Sequence, residues 1–220
     1  MNKDIIIAPS LLAFDLLNLG DEIFSLEESG ADFLHLDIMD GNFVPNIAFG
    51  AGVLSAIKNS KSKLKIDVHL MINDVKGLLN SFLISKPDIL TFHYENQTNI
   101  LELLNLIKSH GVKAGISIMP GTNPKVLEEY LNCLDHILIM TVKPGFGGQT
   151  FIESQLNTIF EVKQLVGSRS INIAVDGGIN DTTGQKCVAQ GANFLIAGSY
   201  IQKANKYESA IKELKSRAIA

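Results

Sequence analysis

Ser29-Gly30-Ala31-Asp32-Phe33-Leu34-His35-Leu36-Asp37-Ile38-Met39-Asp40-Gly41 is the stretch that decides the fold. It reads as a helix exit, then a buried strand, then an abrupt polar ending. Gly30 follows a helical stretch, where a left-handed residue closes a helix C-terminus. Residues 33–38 are mostly apolar, as expected of a parallel strand covered on both faces. The helix-exit phrase returns as His110-Gly111-Val112-Lys113-Ala114 and as Gln190-Gly191-Ala192-Asn193-Phe194, each leading a helical stretch into an apolar run.

Outward from this stretch, the pattern predicts strands at 5–10, 33–38, 64–70, 89–93, 114–118, 136–142, 172–176 and 194–197. Between them lie apolar residues at i, i+3, i+4 spacing, most clearly over 19–29, 100–109 and 154–166. No linker or composition break marks a second domain. Alternating strand and helix places the chain in the α/β class, and a length of 220 residues suits one (β/α)₈ TIM barrel over 1–220. An open doubly wound sheet also alternates, but it would gather its polar residues at one switch point. Here polar and glycine-rich residues follow many different strands, which favours the barrel.

Bulk chemistry narrows the function. Hydrophobic content of 46% with 19% charged residues describes a globular chain, and a net charge of −4 without a basic run gives no case for nucleic acid. Cys133 and Cys187 are far apart and form no CxxC pair, so they read as small buried hydrophobes in a reducing compartment. Met1-Asn2-Lys3-Asp4 enters an apolar strand, and Asp15 and Asp21 soon interrupt it, which is not a signal-peptide pattern. No uncharged span reaches membrane-helix length, so no membrane partner is expected and the cytoplasm is the expected location.

In a barrel the chemistry sits at the C-terminal ends of the strands. On the second strand His35, Asp37 and Met39 share one face, since residues two apart do. On the third, Asp67, His69 and Met71 share a face at matching depth, and the seventh ends Ala174-Val175-Asp176-Gly177-Gly178. A buried His–Asp pair is costly unless satisfied, and a hydrogen bond within the core would do that. Convergence of His35, Asp37, His69 and Asp176 from three strand ends favours a divalent metal instead: zinc, iron(II), manganese or cobalt. His93, at the end of the fourth strand, reads as a supporting group, His110 as a helix C-terminal cap and His136 as structural.

Glycines form the other cluster. Lys143-Pro144-Gly145-Phe146-Gly147-Gly148-Gln149 follows the sixth strand, Gly177-Gly178 the seventh and Gly198-Ser199 the eighth. Glycine lets backbone amides approach a ligand, and the loops after strands seven and eight are the usual phosphate cradle of such barrels. Met39, Met71 and Met140 fall at strand ends; they are either core filler or an apolar lining that keeps water from the reacting carbon.

A metal, two aspartates on different strands and a phosphate grip suit epimerisation next to a ketone. Proton removal there leaves an enediolate that a cation stabilises, and inversion needs an acid/base group on each face. Asp37 and Asp176 are placed to flank it, sharing one proton as a coupled pair.

These residues resemble the ribulose-phosphate 3-epimerase family over nearly the whole chain. The most specific pieces are Leu34-His35-Leu36-Asp37-Ile38-Met39-Asp40, Phe43-Val44-Pro45-Asn46, Asp67-Val68-His69-Leu70-Met71, the run from Met140 to Gln149, and Val175-Asp176-Gly177-Gly178. The resemblance implies a barrel of the ribulose-phosphate-binding type that interconverts D-ribulose 5-phosphate and D-xylulose 5-phosphate in the pentose phosphate pathway. It implies His35, Asp37, His69 and Asp176 as ligands of one divalent metal, with Asp37 and Asp176 also the acid/base pair. Ser10 is implied as a substrate contact, alongside His69, Asp176, Gly145, Phe146, Gly147, Gly148, Gly177, Gly178, Gly198 and Ser199. A homo-oligomer is the usual state in the family. Two departures stand out: Ala13 where many members have serine, and Lys143 where relatives often carry Asn or an acid. The rivals are a D-allulose-6-phosphate 3-epimerase, a sugar-phosphate decarboxylase (a lyase) and a sugar-phosphate sensor. A lyase would place a lysine near the acids.

Overall fold

The computed structural model describes residues 5–217, so the reading of residues 1–4 lies outside the described residues. The apolar runs become β1 (Ile6–Pro9), β2 (Phe33–Asp40), β4 (Lys65–Met71), β5 (Ile89–His93), β6 (Lys113–Ile118), β7 (His136–Met140), β8 (Asn172–Asp176) and β9 (Phe194–Ala197). A two-residue strand, β3 (Ile47–Ala48), pairs antiparallel with the end of β2. Around them lie α1 (Leu19–Glu28), α2 (Ala51–Lys58), α3 (Val75–Leu83), α4 (Ile100–Ser109), α5 (Gln155–Val166), α6 (Asp181–Ala189), α7 (Ser199–Gln202) and α8 (Tyr207–Arg217). Between β6 and β7 the connection is a 3₁₀ stretch, Pro124–Tyr130, instead of an α-helix.

Sheet order is β1-β9-β8-β7-β6-β5-β4-β2-β3, parallel throughout except for β3. The ends meet between β1 and β2. Ser10 pairs with His35 in a parallel bridge, and the Asp32 N–H donates to the Ile7 carbonyl at 3.0 Å. The Asp32 carboxylate accepts from the Ile7 N–H at 2.8 Å and strengthens that seam. Together these contacts curl the sheet into a TIM-type barrel.

Alternation along the strands separates two cores. Leu34, Leu36 and Ile38 point outward and pack under the helices, with Ile100, Leu103, Leu104 and Ile107 of α4 on the same layer. The 3–4 spacing of those four residues is why α4 is a helix, and burying each contributes roughly 1.5–3 kcal/mol. Phe33, Ile89, Leu138 and Phe194 point inward and form an apolar floor. Gly30, Gly111 and Gly191 have φ of 82°, 75° and 112°, the left-handed closure expected after a helix.

Beside these residues the interior is also polar. His136 stacks edge-on over Phe194 with centroids 5.0 Å apart. Both its ring nitrogens, Asp67 Oδ1, Thr91 Oγ1 and Ser117 Oγ are buried without a protein partner, which suits bridging by interior water. Cys187 is buried, whereas Cys133 is only half-buried against the core. His110 ends α4 with Nδ1 3.0 Å from the Leu106 carbonyl, a C-terminal cap. Among the described residues no helix is long and apolar enough to cross a membrane.

Candidate active site

Register brings the polar residues of β2 and β4 level. His35 lies beside Asp67, Asp37 beside His69 and Met39 beside Met71. Ligand atoms of His35, Asp37, His69 and Asp176 lie within 4.8 Å of one another. His35 and His69 are fully buried beneath the cavity floor, and Asp37 is nearly so. One carboxylate oxygen is the hub: Asp37 Oδ1 lies 3.1 Å from His35 Nε2 and 3.1 Å from His69 Nδ1. Asp37 Oδ2 accepts a 2.8 Å hydrogen bond from the Ser10 hydroxyl. Ser10 precedes a short helical turn but does not cap it with its side chain.

The far side of each imidazole is also engaged. His35 Nδ1 is 2.8 Å from Asp67 Oδ2, and His69 Nε2 is 2.9 Å from His93 Nε2. When His35 donates to Asp67 and His69 to His93, both remaining nitrogen lone pairs face the Asp37 oxygen. Three acceptor atoms then converge with no donor among them, an arrangement that a cation resolves. Two imidazoles and two carboxylates are a fitting donor set for a divalent metal of the zinc or iron(II) type.

Without a metal, a proton serves. Burial opposes charge on His35, but Asp37 and Asp67 outweigh it and hold the imidazolium well above its usual range. Burial likewise opposes the Asp37 carboxylate, yet His35 and His69 keep it ionised far below the ordinary value. Asp176 is shifted the other way: burial first, then the Asp37 charge, push it up to about 6. Burial drives His93 down to about 4, against the pull of Glu95, so it is neutral.

Over this cluster opens a cavity of about 590 Å³, counted out to its mouth. Ser10, Asp37 and Asp176 line it, with Met39, Met71 and Met140 on its walls. Gly145, Phe146, Gly147 and Gly148 form one rim, and Gly177, Gly178, Gly198 and Ser199 another. Phe146 stands exposed at the rim. Gly177 and Gly178 have φ of 117° and 65°, and their carbonyls accept from the Thr141 and Thr183 hydroxyls at 2.6 and 2.8 Å. A Cβ on Gly178 would lie 2.7 Å from the Phe151 nitrogen, so only glycine fits here. Asn46 Nδ2 donates to the Gly145 carbonyl at 2.8 Å, tying the loop after β7 to the one after β2. Of the two departures, Ala13 lines the cavity while Lys143 is exposed and does not.

The family model for the "Ribulose-phosphate 3 epimerase family" matches residues 6–202. The chain belongs to the ribulose-phosphate 3-epimerase family. The ribulose-phosphate 3-epimerase of Bacillus subtilis is 42% identical over 212 residues, covering 95% of this chain and 97% of that one. The chloroplastic ribulose-5-phosphate-3-epimerase of Arabidopsis thaliana is 41% identical, over 97% of this chain and 77% of its own. This places the chain among the epimerases and not the lyases or sensors. In fold alone it is similar to 3-hexulose-6-phosphate synthase from Salmonella typhimurium, with a TM-score of 0.71 at 17% identity over 98% of this chain and 99% of that one.

Sequence reasoning left Asp67 and Glu95 without a role. Asp67 shares a face with His69 and stood in plain view, whereas Glu95 is fixed by Met119 and Thr122, more than twenty residues away, which no local pattern signals.

Proposed function

We infer that this chain interconverts D-ribulose 5-phosphate and D-xylulose 5-phosphate by inverting C3, working as one barrel domain over 1–220 in the pentose phosphate pathway. The observation that carries the reading is geometric: two carboxylates from different strands meet in one His/Asp cluster and line the same cavity. Asp37 is on β2 and Asp176 on β8; the two imidazoles favour the ionised form of Asp37, while burial and then the Asp37 charge favour the protonated form of Asp176. One is set to take the C3 proton and the other to return one to the opposite face, and the reverse reaction exchanges the roles. The Ser10 hydroxyl, donating to Asp37 Oδ2, fixes the orientation of that carboxylate.

His35, Asp37, His69 and Asp176 would hold one divalent cation, zinc, iron(II), manganese or cobalt, and its chemistry when bound is to polarise the ketone and offset enediolate charge. The methionine walls keep water from the carbanionic carbon. Backbone amides at Gly177, Gly178, Gly198 and Ser199, with those at Gly145, Gly147 and Gly148, would bind the phosphate of a phosphorylated ketose. A cytoplasmic homo-oligomer completes the proposal; light scattering tests the assembly.

Asp37→Asn and Asp176→Asn test the acid/base assignment. Each is expected to lose about 10²–10⁴-fold in epimerisation. Each should also keep solvent exchange of the C3 proton of one epimer only, because one face retains its base. Full epimerisation by either variant would remove that aspartate from the mechanism.

A further inference from the structure

The imidazole of His69 does not end at the metal cluster. Its Nε2 meets His93 Nε2 at 2.9 Å, and His93 Nδ1 in turn lies 3.2 Å from Glu95 Oε2. Glu95 sits on the helical turn Tyr94–Asn96, directly after β5. Its other oxygen accepts from the Met119 N–H and the Thr122 hydroxyl, both at 2.6 Å. Phe43 packs against the His93 ring, tilted by 41° with centroids 4.6 Å apart.

With both imidazoles neutral and Glu95 ionised, these contacts have only one consistent proton order. A carboxylate fully engaged as an acceptor can only accept from His93, so the His93 proton is on Nδ1. Its Nε2 then carries a lone pair, and the 2.9 Å nitrogen–nitrogen contact requires His69 to supply the proton from Nε2. That leaves His69 Nδ1 as a bare lone pair aimed at the cluster, 3.1 Å from Asp37 Oδ1. With the chain of donors reversed, His69 Nδ1 would carry a proton and bond to Asp37, and the nitrogen would be closed to a metal.

We propose that Glu95 and His93 are positioning residues that select the metal-competent tautomer of His69 from outside the ligand set. Metal-ligating histidines generally donate their second ring N–H to a fixed acceptor, and here that acceptor is a second imidazole fixed by a carboxylate. The proposal rests on the metal reading above, but the tautomer order belongs to the metal-free protein as well and is measurable there.

The test is long-range ¹H–¹⁵N correlation on ¹⁵N-histidine-labelled full chain, metal-free and zinc-loaded, together with zinc affinity by chelator competition. In metal-free protein His93 should be protonated at Nδ1 and His69 at Nε2. In Glu95→Gln the amide oxygen stays with Met119 and Thr122 and its NH₂ faces His93, which inverts the order; zinc affinity should fall by about 10–100-fold. His93→Phe keeps the ring against Phe43 but removes the acceptor, and is expected to lose affinity likewise. Thr122→Val removes one of the two loop hydrogen bonds to Glu95 but leaves its contact with His93, and should leave zinc affinity within about twofold, which a purely structural role for Glu95 would not predict. A wild-type His93 protonated at Nε2, or a folded Glu95→Gln with unchanged zinc affinity, overturns the proposal. Failure of the wild type to bind any divalent metal would instead defeat the metal reading, leaving the tautomer order to stand or fall on the metal-free spectrum.

Discussion

Loading the cluster with zinc should expel protons in a pH-dependent number. Ligands bind as neutral imidazole and ionised carboxylate, so whatever protons the metal-free cluster holds must leave. His35 is held protonated by Asp37 and Asp67 well above the ordinary histidine range, and so contributes about one proton at pH 7.5 and again at pH 5. Asp176, raised to about 6, is ionised at pH 7.5 but protonated at pH 5, and adds about one more there. Release therefore rises from about one proton per zinc at pH 7.5 to about two or more at pH 5. By linkage, lowering the pH weakens zinc binding, by about tenfold for each unit above pH 6 and about a hundredfold for each unit below it. Isothermal titration in buffers of different ionisation enthalpy, with the protein stripped of metal beforehand, counts the protons directly. A release below about half a proton at both pH values, or one that grows towards alkaline pH, would refute the picture of a proton standing in for the cation.

Two further perturbations reach other parts of the barrel. Burial lowers His136 to about 4 from 6.5, so the unfolded chain binds the extra proton and this stability is present above pH 6.5 and lost as pH falls towards 4. His136→Phe should accordingly lose about 2 kcal/mol less than wild type between pH 8 and pH 5 in urea unfolding; equal losses would remove His136 from the acid sensitivity. Gly178→Ala forces a Cβ into the Phe151 and Gln149 backbone at a φ of 65°, and should cost about 2–4 kcal/mol of stability. It should also raise KM for the phosphorylated ketose more than it lowers kcat; an unchanged KM would place the phosphate elsewhere.

Much of this was legible in the sequence because of a single periodicity. Parallel strands buried on both faces leave apolar runs whose few polar exceptions must share the interior face. His35, Asp37, His69 and Asp176 are such exceptions, and the register sets the two β2 residues beside those of β4. Helix exits at Gly30, Gly111 and Gly191 gave the alternation its punctuation. What stayed hidden depends on contacts and not on pattern. β3 is too short to show a period, and Pro124–Tyr130 winds as 3₁₀ under an ordinary helical spacing. Strands shifted by a residue or two at their ends: the run 136–142 leaves the sheet at Met140, where Thr141 turns to bond the Asp176 and Gly177 carbonyls. Glu95 had no role in the sequence pattern because Met119 and Thr122 reach it from the loop after β6.

The most direct test of the central claim is proton NMR of D-ribulose 5-phosphate with the purified chain in deuterated water, beside D-allulose 6-phosphate, with and without chelator. The account predicts xylulose 5-phosphate deuterated at C3, lost on chelation and restored by a divalent metal. Turnover of allulose 6-phosphate alone, or epimerisation without deuterium at C3, would contradict it.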